Sequence, residues 1–186
     1  DIGCGDGTYT TELLHQGKPR LIYGIDPSQN AIAIAKKKTM GQSRISFAVG
    51  SVYNLPKKKF DIAVVRGVLH HLYRPEAAVS EIVKTAAKII IIEPNGYNPI
   101  LKIIEKISPY HREHEEKSYP PFLLDQWIRM NGGTITSRKF AGLVPFFCPN
   151  WLARILKSIE PFVEKIPFFN LLLCGNYYIV FETATK

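Results

Sequence analysis

Glycines stand at alternate positions in Asp1-Ile-Gly3-Cys-Gly5-Asp-Gly7, immediately before a helix-forming stretch. Glycine tolerates positive φ and lets a ligand approach the backbone, while a helix start offers free N–H groups. Such a loop suits a nucleotide-type group, or serves simply as a tight turn. Asp26 follows at about 20 residues from the loop, the offset expected of an acid that accepts hydrogen bonds from ribose hydroxyls. The same carboxylate could instead cap the next helix. Two histidine pairs could move protons: His70 and His71, and His111 and His114 in the charged run YHREHEEK. The second pair has an HxxH spacing, but a charged run more simply reads as a solvated face, and no metal site is expected. Lys36 to Lys38 and Lys57 to Lys59 could meet phosphate, or be exposed lysines at a helix end and in a loop.

These residues need an alternating scaffold, and the pattern supplies one. It predicts helices over Thr8–Gln16, Ser28–Lys38 (capped by Ser28) and Pro75–Ala87, and strands over Arg20–Asp26, Ile45–Val49, Phe60–Arg66 and Lys88–Glu93. Strands separated by helices imply a parallel sheet with right-handed crossovers. Beyond Pro94, helices are predicted over Asn98–Ser108 and Phe122–Met130, and strands over Thr134–Phe140 and Asn176–Thr183. The fold class is therefore α/β: a doubly wound, Rossmann-like, mostly parallel sheet with an antiparallel last strand and a helical insertion, 143–174. A single domain over 1–186 is expected, divided into a ligand-binding half (1–95) and a substrate-side half (96–186). In the insertion, Trp151, Leu152, Ile155, Leu156 and Ile159 share one helical face, and Pro161 is expected to break that helix and start another. The insertion reads either as packing over the sheet or as a greasy lid.

The composition of the 186 residues is that of an ordinary globule, with 46% hydrophobic and 22% charged residues. Only Cys4, Cys148 and Cys174 are present, too scattered for a zinc site and suggestive of a reducing, cytoplasmic setting. The longest uncharged run, Ile166 to Phe181, falls short of the ~20 apolar residues of a membrane span and is interrupted by Pro167, Asn170, Gly175 and Asn176. The net charge of +8 admits anionic partners without naming one.

The segments DIGCGDG, GIDPS, FAVGSVYNLP, FDIAVVRGVLHHL and IIIIEPN follow one another over residues 1 to about 95, and in this the chain resembles class I S-adenosylmethionine-dependent methyltransferases of the small-molecule type. The resemblance implies S-adenosylmethionine as cofactor. It places Gly3, Cys4, Gly5 and Gly7 along the methionine and ribose end, with Asp1 at the ammonium group. Asp26 would take the ribose hydroxyls and Pro27 the adenine face. Ser51 and Val52 would stand at the adenine, Ser51 replacing the family's usual carboxylate. Arg66 and Gly67 would present backbone. His71 and His114 are the catalytic candidates, with Tyr119 on the substrate side. The family's sheet has a central strand ending at the acidic residue that is here Asp1, so a strand is expected upstream of it; without that strand, those ending at Asp26 and Arg66 would lack a neighbour.

The implied reaction is methyl transfer to a small molecule, apolar or lipid-carried, with peripheral membrane contact through 143–174. No segment typical of adenine-methylating enzymes follows the fourth family strand, which argues against nucleic acid. A nicotinamide-dependent reductase is the alternative enzyme, but G-x-G-x-x-G fails because Thr8 or Thr10 stands at its third position, and Pro56 spoils the Tyr53/Lys57 pair. A non-catalytic partner that keeps the fold is the third reading.

Overall fold

The structure, a computed structural model, describes residues 1–56, 60–109, 113, 117–145 and 148–183. In chain order the elements are α1 (Thr8–Gly17), β1 (Ile22–Asp26), α2 (Gln29–Lys38), β2 (Ile45–Val49), β3 (Phe60–Arg66), a 3₁₀ turn (Leu69–His71), α3 (Pro75–Ile82), β4 (Ala86–Pro94), α4 (Pro99–Ile107), α5 (Pro121–Met130), β5 (Gly133–Ala141), α6 (Asn150–Val163), α7 (Pro167–Leu173) and β6 (Asn176–Thr183). The β1–β2 and β3–β4 pairs are parallel, whereas β6 runs antiparallel between β4 and β5. Ile2 bridges both β1 and β3, so the order across the sheet is β2, β1, Ile2, β3, β4, β6, β5.

Two clusters fill the two faces. The larger gathers Ile2, Ile25, Val65, Ile89, Ile91, Ile179 and Phe181 with Ile82 of α3 and Ile128 of α5. The smaller gathers Cys4, Ile45 and Phe47 with Leu14 of α1 and Ile32 of α2. Successive strand residues alternate between faces: Ile25 enters the larger cluster, while a Cβ on neighbouring Gly24 would strike Phe47 of the smaller. This is the doubly wound arrangement expected from the sequence.

Two elements differ from expectation. The helix from Pro75 stops at Ile82, because Lys84 and Thr85 N–H groups turn back to Glu81 and Ile82 and release Ala86 to pair with Phe60. Pro161 does not break α6. It sits inside the helix, and Glu164 N–H still reaches the Glu160 carbonyl; the break falls before Pro167, which begins α7. Residues 1–3 lie between β1 and β3, at the place where the sequence leads one to expect the central strand. Ile2 N–H donates to Val64, Gly3 N–H donates to Ile25, and Ile25 N–H donates to Asp1.

Candidate active site

The glycine loop is shaped by backbone angles that other residues resist. Gly3, Gly5 and Gly7 have φ of 73°, 52° and 75°. A Cβ on Gly3 would lie 2.3 Å from Val68, and one on Gly7 would lie 2.9 Å from Ala35 and Phe47. At Gly5 a Cβ would meet nothing within 4 Å, so this is the residue whose backbone faces open space. Asp26 holds the loop from the end of β1: Oδ2 accepts from Gly5 N–H at 2.9 Å, and Oδ1 accepts from Ser28 N–H at 2.9 Å. Ser28 itself caps α2 by accepting from Ala31 N–H. The α2 cap is therefore Ser28 rather than Asp26, and the remaining lone pairs of the Asp26 carboxylate can still accept hydroxyl hydrogen bonds.

Other predicted residues fall as follows. The Asp1 carboxylate accepts from the buried Thr10 hydroxyl at 2.6 Å. Cys4 turns its thiol into the smaller core cluster, where burial pushes it up to about 11, so only its backbone belongs to the loop. Pro27 is exposed beside Asp26. Ser51 is exposed and accepts from Tyr53 N–H in a turn, while Val52 is buried in the larger core. Arg66 lays its guanidinium 3.2 Å from the Tyr9 ring centroid, and burial lowers its pKa. Gly67 has φ of 62°, and a Cβ there would stand 3.6 Å from His70 Cε1. Tyr119 donates to the Leu72 carbonyl and packs edge-on against Trp127. His111, His114 and Lys57 to Lys59 lie outside the described residues. Lys38 does not wait for phosphate: it bonds Asp6 and Thr8 beside the glycine loop, and its hydrogen bond holds the Asp6 carboxyl down at about 2.

The two adjacent histidines differ in setting. Their rings lie 4.0 Å apart, but His71 is exposed and His70 is turned inward. His70 Nδ1 is 2.8 Å from Glu93 Oε2, and the same carboxylate accepts from the N–H groups of Val68, Leu69 and His70 at 2.8, 2.8 and 3.2 Å. Glu93, only 2% exposed at the end of β4, thus builds the 3₁₀ turn and orients the His70 ring. Sequence reasoning passed over Glu93; its one signal was an acid directly after four isoleucines.

His70 also lines a cavity of about 590 Å³ whose other walls include Leu101 and Ile104 of α4, Leu156 and Val163 of α6, and Leu173 of α7. Two buried asparagines fix those walls. Asn98 caps α4 through Oδ1 and donates through Nδ2 to the Leu173 and Cys174 carbonyls, while Asn95 donates to Leu171 and Cys174. Across the cavity, Glu160 accepts from Leu143 N–H and Glu164 accepts from Gly142 N–H, tying α6 to the end of β5.

Residues 1–88 match the family described as methyltransferase domain. Over these residues the chain is similar to class I S-adenosylmethionine-dependent methyltransferases. An uncharacterized methyltransferase of Schizosaccharomyces pombe is 34% identical over 107 residues, which span 52% of this chain and 36% of that protein. The chain thus covers about a third of that relative's length. Among solved structures, the methyltransferase complexed with the Haloferax volcanii Trm112 activator has a TM-score of 0.73 at 15% identity, covering 100% of this chain and 81% of that one. Magnesium protoporphyrin IX methyltransferase from Synechocystis, solved with bound SAH, has a TM-score of 0.69 at 16% identity, covering 99% and 73%. These two likenesses show the fold. S-adenosylmethionine is the cofactor of the class, and the residues present fit it: an open cradle at Gly5, with the Asp26 carboxylate held against the loop.

Proposed function

We propose that the domain methylates a small apolar acceptor held in the cavity beside His70. The observation that carries this reading is the placement of His70, which joins the apolar cavity to Gly67 at the carboxyl edge of the sheet. Gly3, Gly5, Gly7, Asp26 and Gly67 would hold S-adenosylmethionine, with Asp1, Pro27, Val52 and the Arg66 backbone around it. Bound there, the cofactor supplies an electrophilic methyl group.

The chain's own residues do the rest. Leu101, Ile104, Leu156 and Val163 exclude water and orient the acceptor, which can supply much of the rate of a displacement reaction. In the tautomer that donates Nδ1–H to Glu93, His70 would keep a lone pair on Nε2, able to take a proton from an acceptor hydroxyl. This assigns proton transfer to His70 rather than to its exposed neighbour His71. A cavity with mostly apolar walls suits an apolar or lipid-carried acceptor. Segment 143–174 would then meet a membrane at its periphery.

Calorimetry with S-adenosylmethionine tests the cofactor, and labelled methyl transfer into the organic and aqueous fractions of a cell extract tests the acceptor. Binding with label in the organic fraction supports the reading. Binding with label only in polar molecules or RNA removes the apolar acceptor, and no binding would leave a fold without catalysis.

A further inference from the structure

The helices that wall the cavity leave apolar side chains outside it. Ile103 and Ile107 on α4, Trp151, Ile155 and Phe162 on α6, and Phe168 on α7 are each more than half exposed, at 57, 68, 66, 53, 69 and 65%. None of these three helices has a fully buried apolar residue. Ile100 and Ile159 line the cavity and are themselves 51% and 43% exposed, so the same greasy face reaches the cavity mouth. A face of this size signals an interaction surface.

Charge around that face is sorted by sign. The acids described on α4 and α6 and at the α6 C-cap point inward: Glu105, Glu160 and Glu164 have side chains only 16, 11 and 18% exposed. Their carboxylates accept from the N–H groups of Ser118, Leu143 and Gly142. The bases Lys106, Arg154 and Lys165 are exposed, and Lys157 is exposed beside its ion-pair partner Glu160. Solvent, or whatever replaces it, meets apolar side chains rimmed by positive charge. No helix among the described residues is long and apolar enough to cross a membrane, so a bilayer would be met at its interface.

We infer that this face seats the protein on an anionic lipid bilayer, from which the acceptor enters the cavity. The inference rests on reading the cavity as the acceptor site. A second copy of the chain is a poorer occupant: a two-fold contact would set Arg154, Lys157 and Lys165 near their own equivalents and would cover the mouth. A bilayer complements the charge and is itself the reservoir of an apolar acceptor. Lysine and arginine can rest their stems on the apolar face while their heads meet lipid phosphates.

The test is flotation of the whole chain with two kinds of vesicle, phosphatidylcholine alone and phosphatidylcholine with a minority of phosphatidylglycerol. Trp151 emission is recorded in a Trp127→Phe background that leaves it the sole tryptophan. Flotation is expected on the anionic vesicles, weaker at high salt, with Trp151 shifting to the blue. Arg154→Gln and Lys165→Gln should each weaken partitioning by about fivefold, and Phe162→Glu should abolish it. Since these side chains are exposed, melting and S-adenosylmethionine affinity should not move. Absence of flotation on either vesicle overturns the proposal, as does equal flotation on both. A dimer by light scattering that Phe162→Glu dissociates would assign the face to a second copy instead. Calorimetry on the same samples keeps the outcomes separate: lost cofactor binding in the unmutated chain counts against the methyltransferase reading, not against the lipid face.

Discussion

Four donors converge on the two oxygens of Glu93, and one of them is the His70 ring. Glu93→Gln would turn one oxygen into an amide that donates toward groups that also donate. Unfolding measurements should show a loss of ~1–3 kcal/mol, with a slower methyl-transfer rate because the ring is no longer held. His70→Asn removes the proton acceptor while leaving the glycine loop alone. Its turnover should fall by about 10²–10⁴-fold at unchanged S-adenosylmethionine affinity; an equal loss in His71→Asn would reverse the assignment. Asp26→Ala should weaken S-adenosylmethionine binding by ~1–3 kcal/mol in calorimetry. It should also lower the melting temperature, since the same carboxylate holds Gly5 and Ser28. The buried thiols give a pH signature. Burial raises both Cys4 and Cys174 from 9.0 to about 11, so the unfolded chain loses these protons first. Their contribution is full below about pH 9 and is lost as pH rises through about 11. Denaturant midpoints should fall over that window, and less steeply in a Cys4→Ala/Cys174→Ala variant.

Elements with local signals were legible in the sequence. β2, β3 and β6 have the predicted bounds, because alternating or continuous apolar runs there end at polar or glycine residues. The Gly3–Gly7 loop and Asp26 were readable for the same reason: their spacing encodes a turn and the strand that follows. The cavity was not readable. Its walls come from residues as far apart as His70 and Asn176, and its struts are the long-range bonds of Asn95 and Asn98 to α7. The apolar stripe on α6 was visible, but its division was not: Leu156, Ile159 and Val163 turn to the cavity, while Trp151, Ile155 and Phe162 face out. Trp151→Ala or Ile155→Ala should therefore change unfolding free energy by no more than ~0.5 kcal/mol. Ile91→Ala or Phe181→Ala, at fully buried sites, should cost ~2–5 kcal/mol. A large loss at Trp151 would mean that α6 is core after all.

Across the whole molecule the sheet is unevenly joined. β3, β4, β6 and β5 form one hydrogen-bonded block, whereas β1 and β2 reach it through residues 1–3 and the stacked rings of Tyr23 and Phe60, 6.1 Å apart. Amide hydrogen exchange should consequently be slowest in β4 and β6 and faster in β1 and β2. A cofactor held by the Gly3–Gly7 loop and Asp26 would clamp the two parts, so S-adenosylmethionine should slow exchange in β1 in particular. The position of β6 has another consequence, at the ribosome. Among the described residues it follows the other strands in the chain, yet it is the one that joins β4 to β5. Until it emerges, the isoleucine-rich edge of β4 is bare and β5 has no partner, a state open to wrong pairing with other chains. Nascent protein stays exposed to such mispairing until β6 slides into the slot between β4 and β5.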